Sequence, residues 1–257
     1  MRIDVEPKFR RPTRQGQPDT FGQSSDGRGC GRHRPDYRCP QVNGLGAIMQ
    51  KFTSLSAVAA PLPEKNVNTD IIIPIKRLVG TERGTLGEFA FEPWRYGADG
   101  RPNPNFVLNQ PRYAGAEILI AGTNFACGSS REGAVWALNE FGIRALMAPS
   151  FGAIFFNNCF QSGVLPIVLD DAIIDDFMIQ AREVVAGSEF NIDLERQIVT
   201  SPDGTTVTFE TESFRREALL AGLDDLGMTM KRIGDIDAFQ AADRDARPWI
   251  YGLQHKV

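Results

Sequence analysis

Apolar positions gather into three short runs, at 116–121, 144–149 and 164–169. Runs of that length, bounded by turn residues, read as strands buried on both faces. Between and after them the spacing changes to a helical period. Ala134, Trp136, Ala137, Leu138 and Phe141 predict a helix over about 131–142, and Ser150 is placed to cap another over 151–160, ended by Gly163. An amphipathic pattern from Asp170 to about Glu183 predicts a third helix. Alternation of this kind implies right-handed crossovers and a parallel sheet.

On either side the pattern is different. Short alternating segments at 190–194, 197–200 and 206–210, around the turn Pro202-Asp-Gly204, predict an antiparallel hairpin. A helix over 212–221 is closed by Gly222, residues 222–230 read as loop, and a terminal helix is expected over 233–244. Upstream, residues 57–63 lead into a turn formed by Asn66-Val-Asn-Thr-Asp70, whose side chains suit local backbone bonding. Ile71 to Ile73 reads as a buried segment stopped by Pro74. Residues 79–115 are loop-rich, with a short helical turn at 88–94, and a loop region so long predicts a functional segment or lid. The expected fold class is α/β: one compact domain over 49–257, with a parallel-sheet core plus the hairpin.

Residues 1–48 are of another kind. They hold nine Lys or Arg against five Asp or Glu and few large apolar side chains, the composition of a disordered tail. No apolar segment follows the charges as a signal peptide requires. Met49 opens ordinary globular sequence, so an upstream misassigned start is the expected origin of this tail. Cys30, His33 and Cys39 fit no common metal-ligand spacing.

Composition narrows the chemistry. With 42% apolar and 23% charged residues and a net charge of −4, the chain has an ordinary globular balance and no basic excess for nucleic acid. No apolar run approaches the roughly 20 residues of a membrane span. Its two histidines are His33 and His255, so the body between them lacks imidazole altogether. A Ser-His-Asp triad, a core histidine base and a histidine-built metal site are thereby excluded from the body. Cys127 and Cys159 alone are too few for an iron–sulfur cluster, and they form no disulfide framework, which predicts a reducing cytoplasm.

The candidate chemistry lies between the first strand and its helix, in Gly122-Thr-Asn-Phe-Ala-Cys-Gly-Ser-Ser-Arg-Glu132. A strand running through such a loop into a helix aims backbone N–H groups and a positive dipole end at one point, where an anion can sit. Arg131 adds a forked cation suited to carboxylate. The same letters also admit a plain capping box, Ser129-x-x-Glu132. Both readings stand at this level. A nucleotide-binding reading is weaker, because the loop has no Walker lysine and no G-x-G-x-x-G occurs.

Seven segments, taken in order, resemble the small subunit of 3-isopropylmalate dehydratase and the swivel domain of aconitase: Asn68-Thr-Asp-Ile-Ile-Ile-Pro74, Pro102-Asn-Pro-Asn-Phe-Val-Leu-Asn109, Cys127-Gly-Ser-Ser-Arg-Glu132, Ala148-Pro-Ser-Phe151, Asn157-Asn-Cys-Phe160, Leu165-Pro166 and Gly222–Met230. The resemblance implies a hydro-lyase of leucine biosynthesis, assembled as a heterodimer or higher heteromer. A large subunit would carry a [4Fe-4S] cluster, with no metal on this chain. The implied substrate is a small dicarboxylate, 2-isopropylmalate. By the same resemblance Ser129 is the catalytic base, Ser130 and Arg131 hold a substrate carboxylate, and Asp70 lines the site. The segment from Ile75 to Gly84 sits where relatives adapt to the substrate's side group. Two departures stand out. Most such dehydratases read Ser-Arg-Glu-His-Ala-Pro-Trp, whereas this chain has Gly133 and Val135. A related 2-alkylmalate or methylated malate is therefore the competing substrate class, and a non-catalytic anion-binding regulatory module is the competing role.

Overall fold

The computed structural model describes residues 49–129, 131–183 and 188–251. The expected disordered tail at 1–48, the histidines and Ser130 fall outside the described residues. Strands form at Ser54–Leu62 (β1), Ile118–Ala121 (β2), Ala145–Ala148 (β3), Leu165–Val168 (β4), Glu189–Asp193 (β5), Ile198–Thr200 (β6) and Thr206–Thr208 (β7). The sheet runs β4-β3-β2-β1-β5-β6-β7. Its first half is parallel and its second antiparallel.

β1 joins the two halves. Its residues 54–58 pair antiparallel with β5, and its residues 59–62 pair parallel with β2. The sequence pattern did not predict this strand, because it is alanine-rich and contains Pro61. A proline has no N–H to donate to a ladder. It is tolerated here because Pro61 lies past the β5 pairing and faces a strand only on the β2 side. Pro166 is accommodated for the related reason that β4 is an edge strand.

Helices follow at Thr69–Ile72 (α1), Ile75–Leu78 (α2), Glu92–Arg95 (α3), Glu132–Phe141 (α4), Ala153–Gln161 (α5), Asp171–Glu183 (α6), Ser213–Ala221 (α7), Asp225–Met230 (α8), Ile233–Ala246 (α9) and Pro248–Tyr251 (α10). The parallel strands are covered on both faces, which is why they read as continuous apolar runs. Leu119, Ala121, Leu146 and Ala148 pack in one layer with Ala134, Leu138 and Phe155. Ile118, Ile120, Met147 and Ile167 face the other, with Ile174, Phe177 and Phe190.

Three expectations need correction. Residues 222–230 are not loop throughout: Asp224 caps α8 by accepting the Gly227 N–H at 2.7 Å. Ser150 does not cap α5, which begins after Gly152 without a side-chain cap. Residues 79–115 are not a freestanding lid. Leu86, Phe91, Phe106, Leu108 and Tyr113 are core residues, and the Leu86 N–H donates to Glu140 Oε2 on α4 at 2.6 Å.

Candidate active site

The loop from β2 to α4 is built in an unusual backbone. Asn124 and Ala126 have φ of 60° and 56°, and Gly128 has φ of 90°. Left-handed conformations at non-glycine residues cost about 1–3 kcal/mol each and persist only where neighbours enforce them. Two neighbours do so. On one side, residues 66–70 run alongside the loop. The Asn66 N–H donates to the Thr123 carbonyl (3.0 Å), the Cys127 N–H to the Val67 carbonyl (3.2 Å) and the Thr69 N–H to the Cys127 carbonyl (3.1 Å). On the other, the Asn124 N–H donates to Ser150 Oγ at 2.9 Å, and Phe125 and Phe151 form a parallel bridge.

Ser129 stands exposed at the end of this construction, just before α4. Among the described residues its backbone carbonyl is engaged, by the Thr69 hydroxyl at 2.9 Å, and its own hydroxyl has no partner. The capping box does not form. Arg131 is the N-cap residue and gives no side-chain cap, and Glu132 is already the first helical residue rather than the third. Among the described residues no side chain caps the first turn of α4, whose amides and positive dipole end suit an anion.

Arg131 and Asp70, 61 residues apart, are brought together as an ion pair through Nη1 and Oδ1. Arg131 is the more enclosed, at 15% side-chain exposure against 52% for Asp70. A guanidinium has five N–H donors, so this contact leaves others for a carboxylate ligand. Ser130 lies outside the described residues. Three of the four site residues named from sequence thus share one surface, with Asp70 attached to Arg131 rather than standing apart. Thr69 was not singled out. Its neighbour Asn68 bonds locally as expected, accepting the Ile71 N–H at 3.0 Å, but the buried Thr69 hydroxyl reaches across the chain.

The departure at residue 133 also has a structural counterpart. A Cβ on Gly133 would lie 2.4 Å from Leu78 Cδ2. Leu78, the last residue of α2, occupies that space, while Ile75 and Val79 beside it are 57% and 78% exposed. Arg83 then covers Trp136, its guanidinium 4.0 Å from the ring centroid. Residues 75–89 are thereby laid along α4.

Among the described residues, no group of three or more His, Cys, Asp or Glu is placed to hold a metal ion. Cys127 is partly exposed, its Sγ 3.4 Å from the Asn66 carbonyl. Cys159 is buried, and burial raises its thiol pKa well above the ordinary value, which keeps it protonated and inert. No helix among the described residues is long and apolar enough to cross a membrane.

Residues 49–172 match the family model described as Aconitase C-terminal domain, and residues 181–213 match LeuD_N. The 3-isopropylmalate dehydratase small subunit of Dinoroseobacter shibae is 48% identical over 202 residues, covering 79% of this chain and all of that one. The protein of the same name from Gluconacetobacter diazotrophicus is 52% identical over 201 residues, covering 78% of this chain and 97% of the relative. A crystal structure of 3-isopropylmalate dehydratase from Methanocaldococcus jannaschii superposes with a TM-score of 0.54 at 26% identity, over 72% of this chain and 99% of that one. By this likeness, which spans almost the whole of each relative, the chain belongs to the family of 3-isopropylmalate dehydratase small subunits.

Proposed function

We propose that this chain is the small subunit of a 3-isopropylmalate dehydratase. With a large subunit it interconverts 2-isopropylmalate and 3-isopropylmalate, through isopropylmaleate, in leucine biosynthesis. The carrying observation is the exposed Ser129 just before α4, beside the Arg131–Asp70 pair. A [4Fe-4S] cluster held by the large subunit supplies Lewis acidity toward a substrate oxygen. Among the described residues no group of three or more His, Cys, Asp or Glu is placed to hold such a cluster. The assembly works in the cytoplasm, where free thiols such as Cys127 and Cys159 persist.

The residues of this chain divide the remaining work. Arg131 turns its remaining donors to a substrate carboxylate, assisted by Ser130 and by the amides opening α4. Asp70 holds Arg131 in orientation through the ion pair. Ser129, as an alkoxide, takes the proton from the carbon next to the carbinol. The C–H electron pair becomes the double bond, and hydroxide departs from the carbinol carbon. Returning proton and hydroxide with their positions exchanged gives the other isomer. A bare alkoxide is untenable in water. A helix dipole, oriented amides and a guanidinium, in a site closed by the partner, stabilise that charge without reorganising.

The test is turnover of the chain assembled with its large subunit and reconstituted cluster. Ser129→Ala lowers kcat by about 10²–10⁴-fold, the usual worth of a positioned base, and leaves assembly intact. Near-normal turnover rejects the base assignment. Tight binding of a small dicarboxylate by the isolated chain, read by calorimetry, favours an anion-binding module instead.

A second reading keeps this chemistry and changes the side group to that of another 2-alkylmalate or a methylated malate. The packing of Leu78 into the space over Gly133 favours it, because it reshapes the apolar wall carrying Ile75 and Val79. The ratio of kcat/KM across alkylmalates of increasing size separates the two.

A further inference from the structure

The geometry points to Thr69 as the positioning residue of the Ser129 base, an assignment that rests on the reading of Ser129 given above. Thr69 is 1% exposed and opens α1, yet its hydroxyl donates to no carbonyl of its own helix. It donates instead to the carbonyl of Ser129, 60 residues further along the chain, at 2.9 Å. The backbone on either side explains why one bond matters. Up to Cys127 the serine loop is held through both N–H and carbonyl by residues 67 and 69. Gly128 then turns through a φ of 90°, and the next backbone hydrogen bond among the described residues is the one the Arg131 carbonyl accepts from the Ala134 N–H at 3.2 Å. Between Cys127 and the Arg131–Asp70 ion pair, the Thr69 hydroxyl is a tether among the described residues, and it attaches to the peptide of the base itself.

Tethering the Ser129 peptide plane restricts where its Cα, and hence its Oγ, can travel. A base must lie within hydrogen-bond reach of the proton it removes, and misplacement by about 1 Å can cost on the order of a hundredfold in rate. The same peptide plane is linked through α1 to Asp70, the next residue, and so to Arg131. Thr69 therefore keeps base and carboxylate-binding group in one register.

A merely structural Thr69 predicts something different. Ser129 is exposed, so its carbonyl, once released, finds water and loses little. Valine has the shape of threonine and is at home in a buried position. Loss of the tether should therefore appear in kcat and in local mobility rather than in global stability.

The experiment compares Thr69→Val and Thr69→Ser in the complete complex, with Ser129→Ala as reference. Thr69→Val is expected to lower kcat by about ten- to a hundredfold with little change in KM or Tm. Thr69→Ser, which restores the hydroxyl, is expected to return kcat close to the parent value. In the full chain, amide hydrogen exchange over 127–134 rises in the valine variant and not in the serine variant, while β1 to β3 stay protected. An unchanged kcat in Thr69→Val, failure of serine to rescue it, or a Tm loss that accounts for the lost activity overturns the role. A parent complex without dehydratase activity, or a fully active Ser129→Ala, defeats the base assignment and with it this positioning role. The exchange measurement still reads the tether in that case.

Discussion

β2 and β3 are adjacent parallel strands, and each delivers the chain through a serine-bearing loop to the start of a helix. The first loop, residues 122–131, has Ser129 exposed near its end and leads to a helix start that no side chain caps among the described residues. The second, residues 149–152, spends its polar groups on its neighbour. Ser150 accepts the Asn124 N–H through Oγ and the Phe125 N–H through its carbonyl, at 2.9 and 3.0 Å. The Gly152 N–H donates to the Phe125 carbonyl at 2.8 Å, and Phe151 packs against Phe125, Phe155 and Phe156. Two equivalent positions at the carboxyl edge of one sheet have thus become the proposed site and its brace. The long loop holds left-handed residues that need outside support, and the short loop supplies it.

Substitutions in the two loops should therefore separate activity from stability. The largest effect on turnover, after loss of the proposed base, is expected from Arg131→Lys. It keeps the charge and its pairing with Asp70 but loses the fork proposed to hold a substrate carboxylate. A charge-assisted hydrogen bond is worth about 1.5–3 kcal/mol, so kcat/KM should fall roughly ten- to hundredfold with Tm nearly unchanged, since a half-exposed ion pair contributes about 0–1 kcal/mol. A large Tm loss would mean that Arg131 is chiefly a structural residue.

In the brace the balance reverses. A Cβ on Gly152 would lie 2.4 Å from the Ala126 carbonyl oxygen, a backbone atom that cannot swing aside. Gly152→Ala should cost about 1–3 kcal/mol, as other forced overpacking does, and displace the serine loop enough to reduce activity as well. Ser150→Ala removes one hydrogen bond to Asn124 and is milder, about 0.5–1.5 kcal/mol. Chemical denaturation alongside kinetics measures both. If either variant lost activity with no loss of stability, the division into site and brace would fail.

The same contrast shows what the sequence could convey. β2, β3 and β4 were legible because burial on both faces removes polar residues from a strand entirely. β1 was not, since its pairing changes partner midway and that change alone admits Pro61. Ser129 and Arg131 were legible from a strand, a glycine-bearing polar loop and a helix in succession. The serine before each helix looked like a cap in both loops and is one in neither. Helix α4 begins at Glu132, too early for that residue to reach back as a capping box requires, and Ser150 is claimed by Asn124. Asp70 was named through resemblance, and its union with Arg131 depends on the bridge between Asn68 and Cys127, which no local pattern encodes.

One further asymmetry separates the two helix starts: α4 is covered by α2 through Leu78 on Gly133. That cover is held by Glu92 on α3, which accepts from Arg77 Nε and Nη2 at 2.9 and 2.7 Å and pairs with Lys76 at 3.3 Å. The Arg77 hydrogen bonds hold the Glu92 carboxyl below its usual range, against the opposing effect of burial. A carboxylate depressed in the folded state stabilises fully above its unfolded pKa, and that contribution disappears as pH falls through the folded value. The parent chain should therefore exceed Glu92→Gln in Tm from neutral pH down to the ordinary carboxylate range, by roughly 1–3 °C for a largely surface pair. Below that range the two should converge, because a protonated Glu92 and a glutamine are then equally uncharged. Amide exchange at 132–134 should rise with the acid loss while exchange at the start of α5 stays level. If both helix starts loosened together, α2 would not be a cover specific to the serine loop.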